Sequence, residues 1–325
     1  MAAKTLDTLI LMALPASGKS EVRKYLAGID AKTCREEFHL GETVQLDDFP
    51  YVHLMRRIDD ELARLGEKRI FFHAADKPFQ NGVDWGTLVE LLNEDYGRLL
   101  SRTKLEAGSW GRLMLDRFDR ARSAVGGGRP LGLLPARSQG AVSAALEKEA
   151  RELHEGLNEV VPATLEGKTV VIEFARGGAQ GATMPLSPPY GYAYTLGRLS
   201  PEILERAAIL YIWVTPEESR RKNHERTDPN DPGSILHHGV PIEVMLKEYG
   251  TDDVEYLLSK SSKPDTVTVE AHGRNYVLPL ARLDNRVDKT SFIRKPKAEW
   301  TPAEVAAIHG GLEGALSRLG SLRHQ

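Results

Sequence analysis

The stretch Thr8-Leu9-Ile10-Leu11-Met12-Ala13-Leu14-Pro15-Ala16-Ser17-Gly18-Lys19-Ser20 decides how the rest of the chain is read. Leu9 to Met12 form an unbroken apolar run, the pattern of a strand covered on both faces in a parallel sheet. Val22, Tyr25 and Leu26 then recur at helical spacing, with Gly28 as a stop. Between strand and helix, Ala13 to Ser20 matches Gly-x-x-x-x-Gly-Lys-Ser/Thr at Gly18, Lys19 and Ser20, with Ala13 in place of the first glycine. That template binds phosphate because successive backbone N–H groups and a helix N-terminus converge on the phosphate oxygens. Ala13 keeps a small residue at the corner, although its Cβ must tolerate a tight turn. Ala13, Pro15, Ala16, Ser17, Gly18, Lys19 and Ser20 are therefore the expected phosphate-binding residues.

A chain of 325 residues, 41% hydrophobic and 27% charged, suits one large or two small domains with a substantial core. The one cysteine, Cys34, excludes an internal disulfide framework, and no apolar run is long enough to span a bilayer. The first strand begins so soon after Met1 that no signal peptide is expected, and the expected location is cytoplasmic. A net charge of -3 gives no general reason to expect nucleic-acid binding, although a local basic patch stays compatible with it.

Thr43 to Leu46 reads as a second strand ending in Asp47-Asp48-Phe49-Pro50, so the two acids fall at a strand's carboxyl end, where open parallel sheets bind ligands. The plainer reading is an Asp-Asp turn or cap before the helix Tyr51 to Leu65. Arg69 to His73 is a candidate strand, and His73 and Asp76 are candidates to border an acceptor pocket. Asp84-Trp85 opens a helix running to Leu99. From Leu105 to Pro162 the chain turns helical, around Leu113 to Arg122 and Val142 to Val161. Glycine and proline between those runs permit a lid, and a fixed helical layer fits equally.

Lys168 to Glu173 is a second buried-strand signature ending in an acid, like a Walker B strand. A carboxylate there suits Mg²⁺ held through water opposite the Ser20 hydroxyl. Arg176-Gly177-Gly178-Ala179-Gln180-Gly181 reads as a flexible loop lining the same edge. Ala208 to Val214 is another core strand, followed by a helix from Pro216 that carries Arg220, Arg221, Lys222 and Arg226. Arg221 and Arg226 are the expected phosphoryl-closing residues; they lie about 140° apart on a helix, so both act only if the helix ends between them. A solvated basic face paired with Glu217, Glu218 and Glu225 is the competing reading. Thr266 to Leu280 reads as a hairpin and Thr301 to Leu319 as a closing helix.

These residues resemble small-molecule kinases of the phosphate-loop class, most closely the phosphoribulokinase and uridine kinase group. The resemblance rests on the Ala13–Ser20 loop, Asp47-Asp48-Phe49-Pro50-Tyr51, His73 to Leu92, Glu173, and Arg220-Arg221 with Arg226-Thr227-Asp228. It covers about half of the chain. It implies a three-layer α/β phosphate-loop NTPase fold with a parallel sheet, a helical insertion and a small C-terminal addition. Residues 1–104 and 166–260 would form the core, 105–165 the insertion, and 261–325 the addition. It also implies transfer of the γ-phosphoryl group of ATP, with Mg²⁺, to a hydroxyl of a small molecule. Lys19 would hold phosphate, Ser20 and Glu173 the metal, and Asp47 or Asp48 would take the acceptor proton, with His73, Asp76 and Arg176 towards the acceptor. The absence of an Asn-Lys-x-Asp run leans towards ATP over GTP. Phosphate loops written Leu-Pro-x-Ser-Gly-Lys-Ser also occur in polynucleotide-kinase-like and zeta-toxin-like proteins, so a kinase of a nucleic-acid end or nucleotide-sugar stays open, as does an ATPase switch acting on a protein partner.

Overall fold

The computed structural model describes residues 5–225 and 239–323. Its elements in order are β1 (Thr8–Met12), α1 (Lys19–Ala27), α2 (Ala31–Glu36), β2 (Glu42–Asp47), α3 (Phe49–Arg64), α4 (Val83–Ser101), α5 (Trp110–Ala124), α6 (Ala136–Glu159), β3 (Lys168–Phe174), α7 (Gly191–Arg198), α8 (Pro201–Leu204), β4 (Ala207–Trp213), α9 (Pro216–Glu225), α10 (Ile242–Glu248), α11 (Val254–Lys260), β5 (Thr266–Ala271), β6 (Arg274–Asp284) and α12 (Pro302–Arg323).

All of β1 is buried, because it lies inside a six-stranded sheet of order β2-β3-β1-β4-β6-β5. Neighbouring strands run parallel except β5 and β6, so the sheet is mixed and mostly parallel. Side chains alternate between faces along each strand. Ile10 and Met12 therefore join Val170, Ile172, Ile209 and Tyr211 in one core, roofed by α4, α7 and α11. Leu9 and Leu11 join Val171, Ala208, Leu210 and Ile212 in the other, under α1 and α12. Two cores, one on each face, give three layers. Burying each large apolar side chain contributes about 1.5–3 kcal/mol, which the central strands collect on both faces.

The stretch between α4 and β3 builds a third core. Phe118 of α5 and Val142 and Leu146 of α6 pack with Tyr51, Leu54 and Ile58 of α3 and Leu88 of α4. α5 and α6 approach so closely that a Cβ on Gly111 would lie 2.0 Å from the Ser143 carbonyl oxygen. These helices form one packed layer with α3 and α4.

Two expectations are corrected here. The C-terminal hairpin is no appendage: β6 runs on to Asp284, and its second half pairs in parallel with β4, Ile209 opposite Leu280 through Trp213 opposite Asp284. The apolar run Ile70-Phe71-Phe72 is not a strand; among the described residues its pairing is the isolated bridge of Phe72 with Phe79. The Asp59 carboxylate takes the N–H groups of Ile70, Phe71 and Phe72, so side-chain oxygens replace a ladder partner. Among the described residues no helix is long and apolar enough to cross a membrane.

Candidate functional site

The strand order reverses around β1, whose neighbours are β3 and β4, and the crevice at the carboxyl ends of such strands is where open α/β sheets take ligands. The 13–20 loop leaves β1 at that point. Ala16 (φ 56°) and Gly18 (φ 104°) are both left-handed, and Gly18 is the N-cap of α1 with no side-chain cap of its own. With no side chain, Gly18 itself offers no capping acceptor to the first turn of α1. Ser17 Oγ donates to the Leu14 carbonyl at 2.5 Å, and Lys19 Nζ curls back over the loop to the Ala13 carbonyl at 3.5 Å. Gly18 serves a second purpose, since a Cβ there would meet Thr290 Oγ1 at 2.5 Å.

Asp47 and Glu173 stand side by side in the β2/β3 register, Glu173 one strand and Asp47 two strands over from the loop. Arg23, one helical turn beyond Lys19 on α1, faces both carboxylates: Nε lies 3.0 Å from Glu173 Oε2, and Nη1 lies 3.9 Å from Asp47 Oδ2 while donating to Gln45 Oε1 at 2.9 Å. Asp47 Oδ1 accepts from the Phe49 N–H at 2.9 Å. Burial, the Glu173 charge and the Asp48 charge, in that order, push the Asp47 carboxyl up to about 7.

Asp48 turns the other way, into the protein, where its Oδ2 meets Arg176 Nη1 at 2.6 Å. Arg176 is buried against the rings of Trp85 and Phe174, its guanidinium carbon 4.9 and 5.2 Å from their centroids. Its Nε donates to Thr195 Oγ1 at 3.1 Å and its Nη1 to the Ala175 carbonyl at 2.7 Å. Among the described residues, Arg176 Nη2 and Trp85 Nε1 are buried without a hydrogen-bond partner. Glu248 at the end of α10 is buried nearby, accepts from the Phe79 N–H at 3.1 Å, and is pushed up to about 7 by burial, against the pull of Arg56 and Arg176. The glycine run after Arg176 is pinned rather than loose: Gly178 forms a bridge with Thr251, and a Cβ on Gly177 would lie 2.5 Å from the Thr251 carbonyl oxygen.

The remaining predicted residues sit elsewhere. Arg221 lies on the exposed face of α9, paired with Glu218 at 2.6 Å and Glu225 at 2.5 Å. This helix turns Ser219 and Lys222 inward instead, both fully buried. Arg226 lies outside the described residues. His73 and Asp76 are exposed on the turn between α3 and α4, whose Lys77 pairs with Glu243 of α10 at 2.6 Å. Sequence reasoning passed over Arg23, although its four-residue offset from Lys19 puts it on the same helical face. It also passed over Ser219, Asn285 and Thr290, which contact the loop from far along the chain and carry no local signal.

The oxygen-only donor set of Ser20 and Glu173 fits Mg²⁺, which takes one or two protein oxygens and completes its shell with phosphate and water. Among the described residues no group of three His, Cys, Asp or Glu side chains is placed to hold a metal without such help. No family model, curated protein or solved structure matches the chain.

Proposed function

We propose that this chain is an ATP-dependent kinase of the phosphate-loop NTPase class that phosphorylates a hydroxyl of a small molecule. One observation carries the reading: the 13–20 loop, Lys19 and the side-by-side carboxylates Asp47 and Glu173 converge on one edge of the sheet, at the point where strand order reverses. Phosphoryl transfer asks little covalent chemistry of a protein; it asks for positioned phosphates, charge neutralisation and a group to take the acceptor proton.

In this reading the backbone N–H groups of the loop and Lys19 hold the β and γ phosphate oxygens. Ser20, with Glu173 through water, would hold Mg²⁺, which supplies neutralisation of phosphate charge when bound. Asp47 takes the proton of the acceptor hydroxyl. A carboxyl group raised to about 7 is matched to that task at neutral pH, because a base works best with a pKa near the operating pH. Asp48, committed to Arg176, is the poorer base and serves to orient that arginine towards the acceptor side. The buried Nη2 of Arg176 and Nε1 of Trp85 are hydrogen-bond donors that an acceptor would complete.

The test is ADP release from Mg·ATP across a panel of hydroxyl-bearing metabolites. A kinase gives release that depends on one acceptor and a phosphorylated product. Release that no acceptor stimulates, and that a protein partner does, contradicts this reading in favour of a switch.

A further inference from the structure

The phosphate loop is held from behind by residues more than 190 positions away in sequence, all on the β4/β6 side. Ser219 Oγ on α9 donates to the Pro15 carbonyl at 2.7 Å, and Asn285 Nδ2, just past β6, donates to the Ser17 carbonyl at 2.9 Å. In a planar trans peptide the C=O of one residue and the N–H of the next point in opposite directions. Fixing the Pro15 carbonyl therefore aims the Ala16 N–H away from α9, and fixing the Ser17 carbonyl aims the Gly18 N–H away from the β6 turn. These two N–H groups belong to the two left-handed residues of the loop. Left-handed conformations are sparsely populated outside glycine, so Ala16 in particular holds its shape only if its surroundings over-determine it.

Asn285 is itself held. Its Nδ2 also reaches Thr290 Oγ1 at 3.0 Å, and its Oδ1 accepts from the Lys289 N–H at 2.7 Å. Thr290 is fixed by Asp288, whose Oδ1 accepts from the Thr290 N–H at 3.0 Å and from Lys222 Nζ at 2.7 Å. Lys222 is fully buried, and a buried lysine persists only with such a partner. The chain of contacts runs from Lys222 through Asp288 and Thr290 to Asn285, and so to the loop.

We propose that Ser219 and Asn285 are positioning residues that set the two donor peptide planes of the phosphate loop, with the Lys222–Asp288 ion pair holding Asn285 through Thr290. The proposal rests on the kinase reading for its ligand and adds a device that the loop motif does not contain. It accounts for a motif that tolerates Ala13 in its first position: the geometry is imposed partly from outside.

The experiment titrates Mg·ATP and, separately, inorganic tripolyphosphate into the wild-type chain, Ser219→Ala, Asn285→Ala, Thr290→Val and Thr290→Ser. Amide spectra of Ala16 and Gly18 are recorded on the free proteins, with thermal midpoints alongside. One misdirected N–H corresponds to a binding loss of about tenfold. Ser219→Ala and Asn285→Ala are each expected to weaken both ligands by about that factor. KM for ATP rises with kcat little changed, and the Ala16 resonance moves in the first variant and the Gly18 resonance in the second. Thr290→Ser keeps wild-type binding where Thr290→Val loses it. Wild-type dissociation constants and unmoved Ala16 and Gly18 resonances in Ser219→Ala and Asn285→Ala overturn the proposal and leave the kinase reading standing. Should Asn285→Ala fail to fold, Ser219→Ala decides on the same readouts. A wild-type chain that binds neither ligand sinks the kinase reading, and the proposal with it.

Discussion

Arg117 and Arg176 are both withdrawn from water, and the molecule treats them in opposite ways. In the helical layer every nitrogen of Arg117 is matched: Nε to Glu94 at 3.1 Å, Nη2 to Asp95 at 2.7 Å, and Nη1 to His154 Nε2 at 3.1 Å. Asp95 is in turn bonded by the Tyr51 hydroxyl and by Arg98. His154 stays neutral to match, its Nδ1 facing the Ala150 carbonyl at 2.6 Å; burial and then the Arg117 charge push its pKa down to about 4. At the sheet edge, Arg176 meets Asp48 but leaves Nη2 buried and unpartnered. Around Arg117 itself the desolvation cost is recovered because all of its donors are used, although Arg98 Nε in the same layer is buried without a partner. Under the proposed kinase reading, an unused donor beside the raised carboxyls of Asp47 and Glu248 is where the acceptor would bind.

The comparison breaks most visibly on substituting the two arginines. Arg117→Met is expected to cost about 3 kcal/mol by taking from the buried Asp95 carboxylate one of its two arginine partners and from His154 and Glu94 theirs, with turnover per folded molecule unchanged. Arg176→Met takes the cation from the buried Asp48 carboxylate, so it is expected to cost a comparable amount of stability and, in addition, to lower turnover of the folded fraction by about 100-fold or more. Chemical denaturation paired with ADP release measures both. If Arg117→Met does not fold, Tyr51→Phe removes one bond to Asp95 and tests the same asymmetry. Equal loss of turnover per folded molecule on both sides would erase the distinction.

Asp47 sharpens it on a smaller scale. Its pKa is raised from 3.8 to about 7, so between those values the folded chain holds a proton that the unfolded chain has released. Its contribution to stability therefore falls as pH rises through that window, and the ionised carboxylate is a standing cost above it. Asp47→Asn removes the cost: stability at pH 8 should rise by on the order of 1–3 kcal/mol, the carboxyl's partial exposure keeping the figure below the full shift. Meanwhile kcat should fall by about 100-fold, and the rise of kcat/KM through pH 7 should disappear. A variant both less stable and fully active would assign Asp47 to the fold. A kcat loss appearing only in Asp48→Asn would move the base by one residue.

Part of this was legible in the sequence for a physical reason. Strands buried on both faces, such as Leu9 to Met12 and Ala208 to Val214, must be continuously apolar, so β1 and β4 announce themselves. Glu173 was legible because a charge ending such a run has nowhere to sit but a strand's end. The place of β6 beside β4 was not, because a hairpin's alternation is the same whether it joins the main sheet or stands apart. Ile70 to Phe72 misled because apolar content does not reveal that Asp59 would take their N–H groups. On α9, a cluster of arginines drew attention outward. The inward face includes Ser219 and Lys222, three residues apart, and only their tertiary contacts, with Pro15 and Asp288, give them meaning.

The central claim is that the 13–20 loop binds nucleotide phosphate, and calorimetric titration of Mg·ATP into the wild-type chain and Lys19→Ala tests it most directly. The loss of one charge-assisted phosphate contact, about 2–3 kcal/mol, predicts saturable one-to-one binding by the wild type, weakened by about 30- to 150-fold in Lys19→Ala at an unchanged thermal midpoint. Equal affinity in the two proteins, or no binding by the wild type, would contradict it.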